Sequence, residues 1–487
     1  MSEALALLRG RRIHVLGLSG TEGSAVASYL LSHGIRTLTA HDLSTPDTFP
    51  EVFRRTHVWM PPEDRETAIR RWLQEPIPIR WRDRYLEGIE EAEVVFLPQA
   101  WFRYPENEPI RRLPAEVERH SMTRLVFQLC PCPVVGITGT NGKFTVGTLL
   151  HRMLLAEGKR AHFSGNDRTH VPLLHTLDRV RPEDWVVLEI SNRQLLQLDR
   201  SPQVAVLTNL APHHLDDHGS FEAYVACKAT IFQHQTPEDV AILDADDPVC
   251  ASLIPSLRAR LVPFAMHSSL PRELGRGAWV DGGWVVAFGR RVLPLERLPV
   301  SAEYMVRNAL AACAAAGAAG VGPEAMGDVL RTFRGLPHRL ERVAEVGGVE
   351  CIEDSLATNP AAAAAAIRAM RRPFVLIAGG RRPGATPESF APMREALRAS
   401  PVRAIYLIGE CAEVMRSAFR GLPAEVLEVG TLPRAVRRAV QLARPGEAVL
   451  FSPGCESFDQ FRDYRERAEV FQALVRALAP SRDERVS

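Results

Sequence analysis

A short glycine-rich loop carries the residues whose spacing is best suited to chemistry. Pro133 to Thr138 is an apolar run without charge, and it predicts a buried strand. The run Gly139-Thr140-Asn141-Gly142-Lys143 follows, and the residues after Thr145 predict a helix. Backbone N–H groups of a loop that opens a helix point towards a bound anion, and a lysine adds a full positive charge. This segment therefore predicts a cradle for phosphate groups.

The rarity of lysine directs attention to a second position. The chain has 59 lysines and arginines, of which only Lys143, Lys159 and Lys228 are lysines. Lysine retained where arginine fills nearly every other basic position indicates a need for an ammonium ion or a reactive amine. Lys228 lies in a predicted helix, within a block (201–250) that contains no arginine. Its amine could neutralise nearby acids, or take up carbon dioxide and become a carbamate ligand for Mg²⁺.

Candidate metal ligands follow two other apolar runs. Glu189 stands near the end of the run 185–191, and a carboxylate beside a phosphate loop is a usual ligand for the Mg²⁺ of a nucleotide. The loop after the run 204–209 holds three histidines and two aspartates between positions 213 and 218. This composition is typical of a metal or catalytic loop, but also of a polar surface loop.

The N-terminal segment predicts a βαβ unit with a ligand at its turn. A strand from Ile13 leads into glycines at positions 17, 20 and 23, and a second strand ends at Asp42, whose carboxylate suits a ribose or sugar hydroxyl. The G-x-x-G-x-x-G spacing differs from the dinucleotide pattern G-x-G-x-x-G, which disfavours NAD. A Rossmann-like unit without a ligand is the alternative. Further along, residues 115–129 predict a helix.

Length and composition limit the class of protein. A chain of 487 residues predicts two or three domains, and a net charge of +1 gives no electrostatic case for nucleic acid or an anionic membrane. No apolar run approaches the roughly 20 residues of a membrane span. The N-terminus lacks a signal-like apolar segment, and the eight cysteines show no zinc-binding spacing. We expect a cytoplasmic protein with reduced thiols.

Strands and helices alternate along the chain, which predicts an α/β protein. Three apolar runs in the last third, beginning at positions 374, 404 and 448, predict a second open sheet. We expect a Rossmann-like N-terminal domain (1–132), a central P-loop ATPase-like domain (133–336) and a Rossmann-like C-terminal domain (337–487).

Motifs spread over the whole chain resemble those of the Mur ligases, the ATP-dependent enzymes that build the peptide stem of bacterial peptidoglycan. The motifs that carry the resemblance are Thr138 to Lys143, Asn209 with His214-Leu215-Asp216, Tyr224 with Lys228, Gly335 to Arg339, and Asp354-Ser355 with Ala357-Thr358-Asn359. The run from Ser452 to Tyr464 looks most like the branch of the family that adds D-glutamate.

The resemblance implies roles for individual residues. ATP would be bound by the loop and by residues from two later segments, namely Gly139, Thr140, Asn141, Gly142, Lys143, Thr145, Asn308, Arg339 and Asp354. Mg²⁺ would be held by Glu189, His214 and Lys228, with Lys228 carbamylated. Lys143, Lys228 and His214 would be the catalytic residues.

The resemblance also implies the substrates, which would be UDP-N-acetylmuramoyl-L-alanine and D-glutamate. Asp42 would contact the UDP portion, and Asn166 and Ser191 would lie near the rest of the nucleotide sugar. Thr358, Ser457 and Tyr464 would lie near the amino acid. A cytoplasmic monomer with no nucleic-acid or membrane partner is expected.

Several positions depart from the family pattern. Phe144 stands where the family has Thr or Ser, Leu356 replaces a lysine, and Leu97-Pro98-Gln99 replaces a Ser-Pro-Gly turn. Phenylalanine has no oxygen with which to bind a cation. Three interpretations stay open: a divergent ligase that adds D-glutamate, a paralogue that joins another acid and amine, and a nucleotide- or UDP-sugar-binding protein that keeps the fold without turnover.

Overall fold

The computed structural model describes residues 3–166, 170–211, 215–299 and 303–479. The chain divides into two compact units, Met1–Phe333 and Arg334–Ser487. The predicted division of the first unit near residue 132 stays a prediction.

The first unit begins with a parallel five-stranded sheet in the order β3-β2-β1-β4-β5. Its central strands are short and apolar, which suits strands covered on both faces. The strands are β1 (Ile13–Leu16), β2 (Leu38–His41), β3 (Ile79–Arg80), β4 (Val94–Phe96) and β5 (Glu118–His120). The helices are α1 (Glu3–Leu8), α2 (Thr21–Ser32), α3 (Phe49–Thr56), α4 (Pro62–Gln74), α5 (Glu108–Arg111) and α6 (Met122–Leu129).

The helix predicted over residues 115–129 is wrong in its first half. Glu118–His120 instead pairs with β4 as the edge strand β5, and α6 begins only at Met122. The hydroxyl of Ser121 accepts a hydrogen bond from the N–H of Arg124, which caps the helix at that point. A three-residue polar edge strand carries too little hydrophobic pattern to be predicted from sequence.

The first unit continues with a parallel six-stranded sheet in the order β11-β10-β9-β6-β8-β7. Its strands are β6 (Val134–Thr138), β7 (Ala161–Ser164), β8 (Trp185–Glu189), β9 (Val204–Leu207), β10 (Val240–Leu243) and β11 (Arg260–Leu261). Its helices are α7 (Lys143–Ala156), α8 (Asn192–Leu195), α9 (Leu215–His218), α10 (Phe221–Ala229) and α11 (Pro248–Ser252). The phosphate loop follows β6, and Glu189 is the last residue of the adjacent strand β8. Both therefore lie at the carboxyl edge of the sheet, where ligands of open α/β sheets bind.

A four-stranded, mostly antiparallel sheet and two helices complete the first unit. The strands are β12 (Phe264–Ala265), β13 (Ala278–Asp281), β14 (Trp284–Ala287) and β15 (Arg290–Pro294). The helices are α12 (Leu270–Leu274), α13 (Glu303–Ala318) and α14 (Pro323–Thr332). The small alanines of α13 are buried, and this helix packs against α7.

The second unit has one six-stranded sheet in the order β16-β17-β21-β18-β19-β20. Only the β16–β17 pair is antiparallel. The strands are β16 (Glu341–Val346), β17 (Val349–Glu353), β18 (Phe374–Gly379), β19 (Val402–Ile408), β20 (Glu425–Gly430) and β21 (Ala448–Phe451). The helices are α15 (Pro360–Ala369), α16 (Ala391–Arg398), α17 (Ala412–Ala418), α18 (Leu432–Leu442) and α19 (Tyr464–Leu478).

These parallel sheets confirm the predicted α/β class. Searching the described residues for a helix with the length and apolarity to span a membrane finds none.

Candidate active site

The predicted phosphate loop connects β6 to α7 through a turn that requires glycine. Gly139 and Gly142 have φ values of +143° and +83°, which side chains with a Cβ rarely adopt. A Cβ atom at Gly139 would lie 2.0 Å from the Oγ1 of Thr208, and one at Gly142 would lie 2.2 Å from the Oδ1 of Asn308. Asn308, a predicted ATP contact on α13, therefore lies directly against the loop.

Hydrogen bonds to the segment after β9 hold the loop in place. The N–H groups of Thr140 and Asn141 donate to the carbonyl and the side-chain oxygen of Asn209, both at 3.0 Å. The hydroxyl of Thr208 donates to the carbonyl of Asn141 at 2.6 Å. The loop is thus fixed before any ligand binds, which lowers the entropy lost on binding.

Lys143 is the first residue of α7, and its side chain folds back over the loop. Its Nζ donates to the carbonyls of Gly139 and Thr140, both at 3.1 Å, and lies 3.9 Å from the Oε1 of Glu189. The sequence predicted both residues at one site, and the structure brings them together.

Lys228 is buried, with 1% of its surface exposed, and its Nζ donates to the Oγ1 of Thr138 at 2.8 Å. The ammonium also lies 5.6 Å from the centre of the Tyr224 ring. Among the described residues it makes no ion pair. Burial and the charge of Lys143 lower the pKa of Lys228 from 10.5 to about 7. The amine is therefore largely uncharged at slightly alkaline pH, which is the form that reacts with carbon dioxide.

Glu189 ends β8 and offers a hard oxygen ligand beside the phosphate loop. Its Oε2 accepts a hydrogen bond from the main-chain N–H of Asn166 at 3.2 Å, and its side chain is 12% exposed. A partly exposed carboxylate beside a phosphate cradle fits the chemistry of Mg²⁺. Lys228 would fit as a further ligand only as a carbamate, since an ammonium or amine at this position has no oxygen to offer. His214 lies outside the described residues.

Phe144 points away from the phosphate cradle, towards the segment after β7. Its ring centre lies 5.3 Å from that of Phe163 and 4.8 Å from that of His170. A Cβ atom at Gly165 would lie 2.8 Å from the Cε2 of Phe144. Thr145, predicted to contact the nucleotide, is buried in α7.

A cavity of about 700 Å³ lies next to this site in the first unit. Loops of the five-stranded sheet and of the six-stranded parallel sheet both line it. The lining includes two basic residues, three acids and an amide, namely Arg55, Arg82, Glu22, Asp42, Glu189 and Asn166. Burial raises the pKa of the Glu22 carboxyl from 4.5 to about 7, although an N–H donor partly offsets that effect.

Asp42 lines the cavity, and its carboxylate fastens two loops of the first sheet together. Its oxygens accept hydrogen bonds from the N–H and hydroxyl of Ser19, at 2.5 and 3.0 Å, and from those of Ser44, at 2.9 and 2.6 Å. The sequence indicated a polar role at this strand end but not these partners. Its predicted contact with UDP stays a prediction.

Gln99 is a cavity residue that the sequence did not single out as functional. Its Nε2 donates to the Oδ1 of Asn166 at 3.1 Å, and its Oε1 accepts from the Oγ of Ser191 at 2.8 Å. Its main-chain N–H donates to the Oε2 of Glu22 at 2.6 Å. Two predicted substrate-binding residues, Asn166 and Ser191, are therefore brought together by the carboxamide of Gln99.

In the second unit, Asp354 follows β17 and is buried. It accepts hydrogen bonds from the hydroxyl of Ser452 at 2.6 Å and from the N–H of Leu340 at 3.2 Å. Burial raises the pKa of Asp354 to about 7, although the two hydrogen-bond donors and the charge of Arg339 each lower it. Arg339 itself is exposed.

The residues predicted near the amino acid lie at the ends of neighbouring elements of the second unit. Ser457 is buried after β21, Thr358 is half-buried before α15, and Tyr464 begins α19. The sequence missed Arg467, whose guanidinium is 1% exposed and donates to the carbonyls of Cys455 at 3.1 Å and Ser355 at 2.9 Å. Arg467 thus ties together the segments that follow β17 and β21.

Comparison with known families agrees with this arrangement. Residues 137–316 match the Mur ligase middle domain, and residues 338–455 match the Mur ligase glutamate ligase domain. The chain is 34% identical over 478 residues to the UDP-N-acetylmuramoylalanine–D-glutamate ligase of Symbiobacterium thermophilum, covering 96% of this chain and 98% of the relative. The chain belongs to the Mur ligase family. A ligase of the same name from Pelotomaculum thermopropionicum is 38% identical over 378 residues, covering 76% of this chain and 81% of the relative.

Solved structures of Mur ligases share the fold. The chain resembles UDP-N-acetylmuramate-alanine ligase MurC of Thermotoga maritima, with a TM-score of 0.54 and 17% identity over 96% of this chain and 99% of that one. It also resembles MurF ligase of Thermotoga maritima, solved in complex with ADP, with a TM-score of 0.53 and 17% identity over 98% of this chain and 100% of that one. At this identity the likeness establishes the fold alone.

Proposed function

We propose that this Mur ligase joins D-glutamate to UDP-N-acetylmuramoyl-L-alanine at the expense of ATP. The observation that carries the proposal is the convergence of Lys143, Glu189 and buried Lys228 at the phosphate loop, beside a cavity of about 700 Å³. Relatives named for this reaction match nearly the whole chain.

ATP binds with its terminal phosphates in the loop between β6 and α7. The N–H groups of the loop and the first turn of α7 donate to phosphate oxygens, and Lys143 turns from the loop carbonyls to the phosphates. Asn308 stands against Gly142 and limits how far the nucleotide can move. The assignments of Arg339 and Asp354 to ATP stay predictions from the family resemblance.

The nucleotide sugar binds in the cavity. Its volume lies in the range of small-molecule sites, and Arg55 and Arg82 supply positive charge to its wall. The twelve-residue helix α2 begins at the cavity with Gly20 as its N-cap, and no side chain caps its first N–H groups. These groups suit the diphosphate of the UDP portion.

The reaction proceeds in two displacements. The terminal carboxylate of the acceptor attacks the γ-phosphorus of ATP, and the bond to ADP breaks, which leaves an acyl phosphate on the acceptor. The amine of D-glutamate, having given up its proton to water, attacks the acyl carbon, and inorganic phosphate leaves. The charge of Lys143 stabilises both the attack on phosphorus and the departure of phosphate.

Mg²⁺, when bound, offsets the negative charge that accumulates between the phosphates and the attacking carboxylate. Glu189 would hold it, together with a carbamate on Lys228. The carbamate forms when the neutral amine of Lys228 attacks carbon dioxide: a nitrogen–carbon bond forms and one proton is released. The modification converts a buried base into an oxygen ligand, and it would explain why this buried position is a lysine.

The proposal is tested by measuring phosphate release with ATP, Mg²⁺, UDP-N-acetylmuramoyl-L-alanine and D-glutamate. We expect release that requires both the acceptor and the amino acid. Release with a different amino acid or acceptor would replace the proposed substrates. ATP binding without release for any combination would identify a binding protein, and absence of ATP binding would contradict both enzymatic interpretations.

A further inference from the structure

The side chain of Gln99 occupies the two polar groups that the proposed acceptor would use. The carboxamide donates to the Oδ1 of Asn166 and accepts from the hydroxyl of Ser191. The acceptor atom of Asn166 and the donor group of Ser191 are therefore already engaged. Gln99 follows a strand of the first sheet, whereas Asn166 and Ser191 follow strands of the six-stranded parallel sheet. Gln99 and Asn166 line the cavity, and Ser191 is reached from it through the carboxamide of Gln99.

The position of Gln99 is fixed from its main chain as well as its side chain. The Oε2 of Glu22 accepts from the N–H of Gln99 at 2.6 Å, and the ring of Pro98 stands against Gly17. The main chain cannot retreat from the cavity without losing the bond to Glu22. Rotation of the Gln99 side chain would release Asn166 and Ser191 while keeping the bond to Glu22.

A carboxamide has the same donor and acceptor as a peptide bond. The arm of UDP-N-acetylmuramoyl-L-alanine that carries the reacting carboxylate contains one such amide, between the lactyl group and the alanine. UDP-N-acetylmuramate lacks that amide. The polar groups of Asn166 and Ser191 thus match what the longer acceptor needs, and Gln99 satisfies them in its place.

We infer that Gln99 is a specificity-determining residue, whose carboxamide competes with the lactyl-alanyl amide of the acceptor for Asn166 and Ser191. This inference rests on the proposed function, since it assumes that the acceptor occupies this cavity. The competition weakens binding of the amide-bearing acceptor and leaves the shorter acceptor nearly unaffected. The ratio of the two affinities is therefore set by residue 99.

The size of the effect follows from the two hydrogen bonds. A net hydrogen bond in a protein changes an equilibrium roughly two- to tenfold, so removal of both competing bonds should tighten binding of the amide-bearing acceptor by about tenfold. Gln99→Ala removes the carboxamide. Gln99→Asn keeps the amide but is one methylene shorter, so it cannot hold both partners at once and should act in the same direction.

Isothermal titration calorimetry without ATP tests the inference independently of turnover. The Kd values of UDP-N-acetylmuramoyl-L-alanine and UDP-N-acetylmuramate are measured for the wild type, Gln99→Ala and Gln99→Asn. Gln74→Ala is the matched control, because Gln74 is an exposed glutamine at the end of α4. Thermal unfolding verifies that each variant is folded.

We expect Gln99→Ala to bind the amide-bearing acceptor about tenfold more tightly, with the Kd of the shorter acceptor changed less than twofold and the control unchanged. Equal or weaker binding of the amide-bearing acceptor by both Gln99 variants would overturn the role of Gln99 and leave the proposed acceptor standing. If the wild type and all variants fail to bind either nucleotide sugar, the proposed acceptor is wrong and the role of Gln99 falls with it.

Discussion

The proposed carbamate on Lys228 would make activity depend on carbon dioxide. Lys228 is buried, and among the described residues its amine has only the hydroxyl of Thr138 as a hydrogen-bond partner. When the protein is transferred to carbon-dioxide-free buffer at pH 8, the carbamate should dissociate and phosphate release should fall. Adding bicarbonate should restore the rate in the wild type. Lys228→Ala should be inactive with or without bicarbonate.

The magnitude follows from the pKa of Lys228. At pH 8 a lysine with the ordinary pKa of 10.5 is neutral in about 0.3% of molecules, whereas one with a pKa of about 7 is neutral in about 90%. The lowered pKa, caused by burial and by the charge of Lys143, thus raises the population of neutral amine by roughly 300-fold. Below pH 7 the amine is protonated, so the bicarbonate concentration needed for half-maximal activity should rise steeply as the pH falls from 8 to 6.

The scarcity of lysine makes the modification easy to assign. Only three side chains could carry a lysine carbamate, so ¹³C NMR in labelled bicarbonate should show one lysine carbamate signal, separate from any carbamate of the α-amino group. Lys228→Ala should abolish this signal. Lys159→Ala, which removes a half-buried lysine at the end of α7, should leave both the signal and the rate unchanged.

Full activity in rigorously carbon-dioxide-free buffer would refute this reasoning. A carbamate signal that survives in Lys228→Ala would place the modification elsewhere. An active Lys228→Ala variant would show that the buried amine serves neither as a ligand nor as a source of charge.

Three further variants test other parts of the site. Phe144→Thr loses the ring contacts with Phe163 and His170, so we expect the free energy of urea unfolding to fall by about 2 kcal/mol. The variant also adds a hydroxyl at the first turn of α7, so phosphate release should require a severalfold lower Mg²⁺ concentration. An unchanged Mg²⁺ requirement would show that the hydroxyl does not reach the ion. The Glu22 carboxyl has a folded pKa of about 7 against 4.5 unfolded, so the folded state binds more protons between these values and loses stability as the pH rises through them. Glu22→Gln should therefore raise the thermal midpoint at pH 8 but not at pH 4, and an equal change at both values would contradict this. Arg467→Met leaves the carbonyls of Cys455 and Ser355 without their donor, so it should lower the free energy of unfolding by about 2 kcal/mol. It should also raise the KM for the amino acid with little change in the KM for ATP. Equal increases in both KM values would indicate general loosening of the unit.

The phosphate loop and its charged neighbours could be predicted from sequence because they depend on local pattern. Three features of the site give a recognisable sequence pattern within a few residues. They are the glycines that need positive φ, the lysine at a helix start and the acid at a strand end. Their proximity then follows from the topology, since the carboxyl ends of adjacent parallel strands lie at one edge of a sheet. Lys228 could be added only because the chain has so few other lysines.

Gln99 and Arg467 could not be predicted, because their roles depend on contacts between distant segments. Gln99 reaches residues 67 and 92 positions away, and Arg467 reaches a carbonyl 112 positions away. The sequence marked Gln99 only as part of a departure from a family turn and gave no hint of its partners. An arginine in an arginine-rich helix carries no local pattern that separates it from a surface residue. Asp42 is an intermediate case, since its strand end was predictable while its serine partners were not.

The departures from the family pattern at Phe144 and Gln99 are related in space. The ring of Phe144 lies against Gly165, and the carboxamide of Gln99 binds the side chain of Asn166, the next residue. The main-chain N–H of Asn166 in turn donates to Glu189, the proposed magnesium ligand. A displacement of residues 165 and 166 would therefore be expected to affect both Glu189 and the cavity.

Phe144 and Gln99 both contact this segment, so the effects of substituting them are expected to be coupled. Phe144 supports residues 165 and 166 from the side of α7, and Gln99 holds them from the side of the first sheet. Substitutions at residues that contact one segment are expected to be non-additive. Phe144→Thr combined with Gln99→Ala should therefore change the Mg²⁺ requirement for phosphate release and the Kd of the acceptor by amounts that differ from the sums of the two single variants, and strictly additive changes would contradict this coupling.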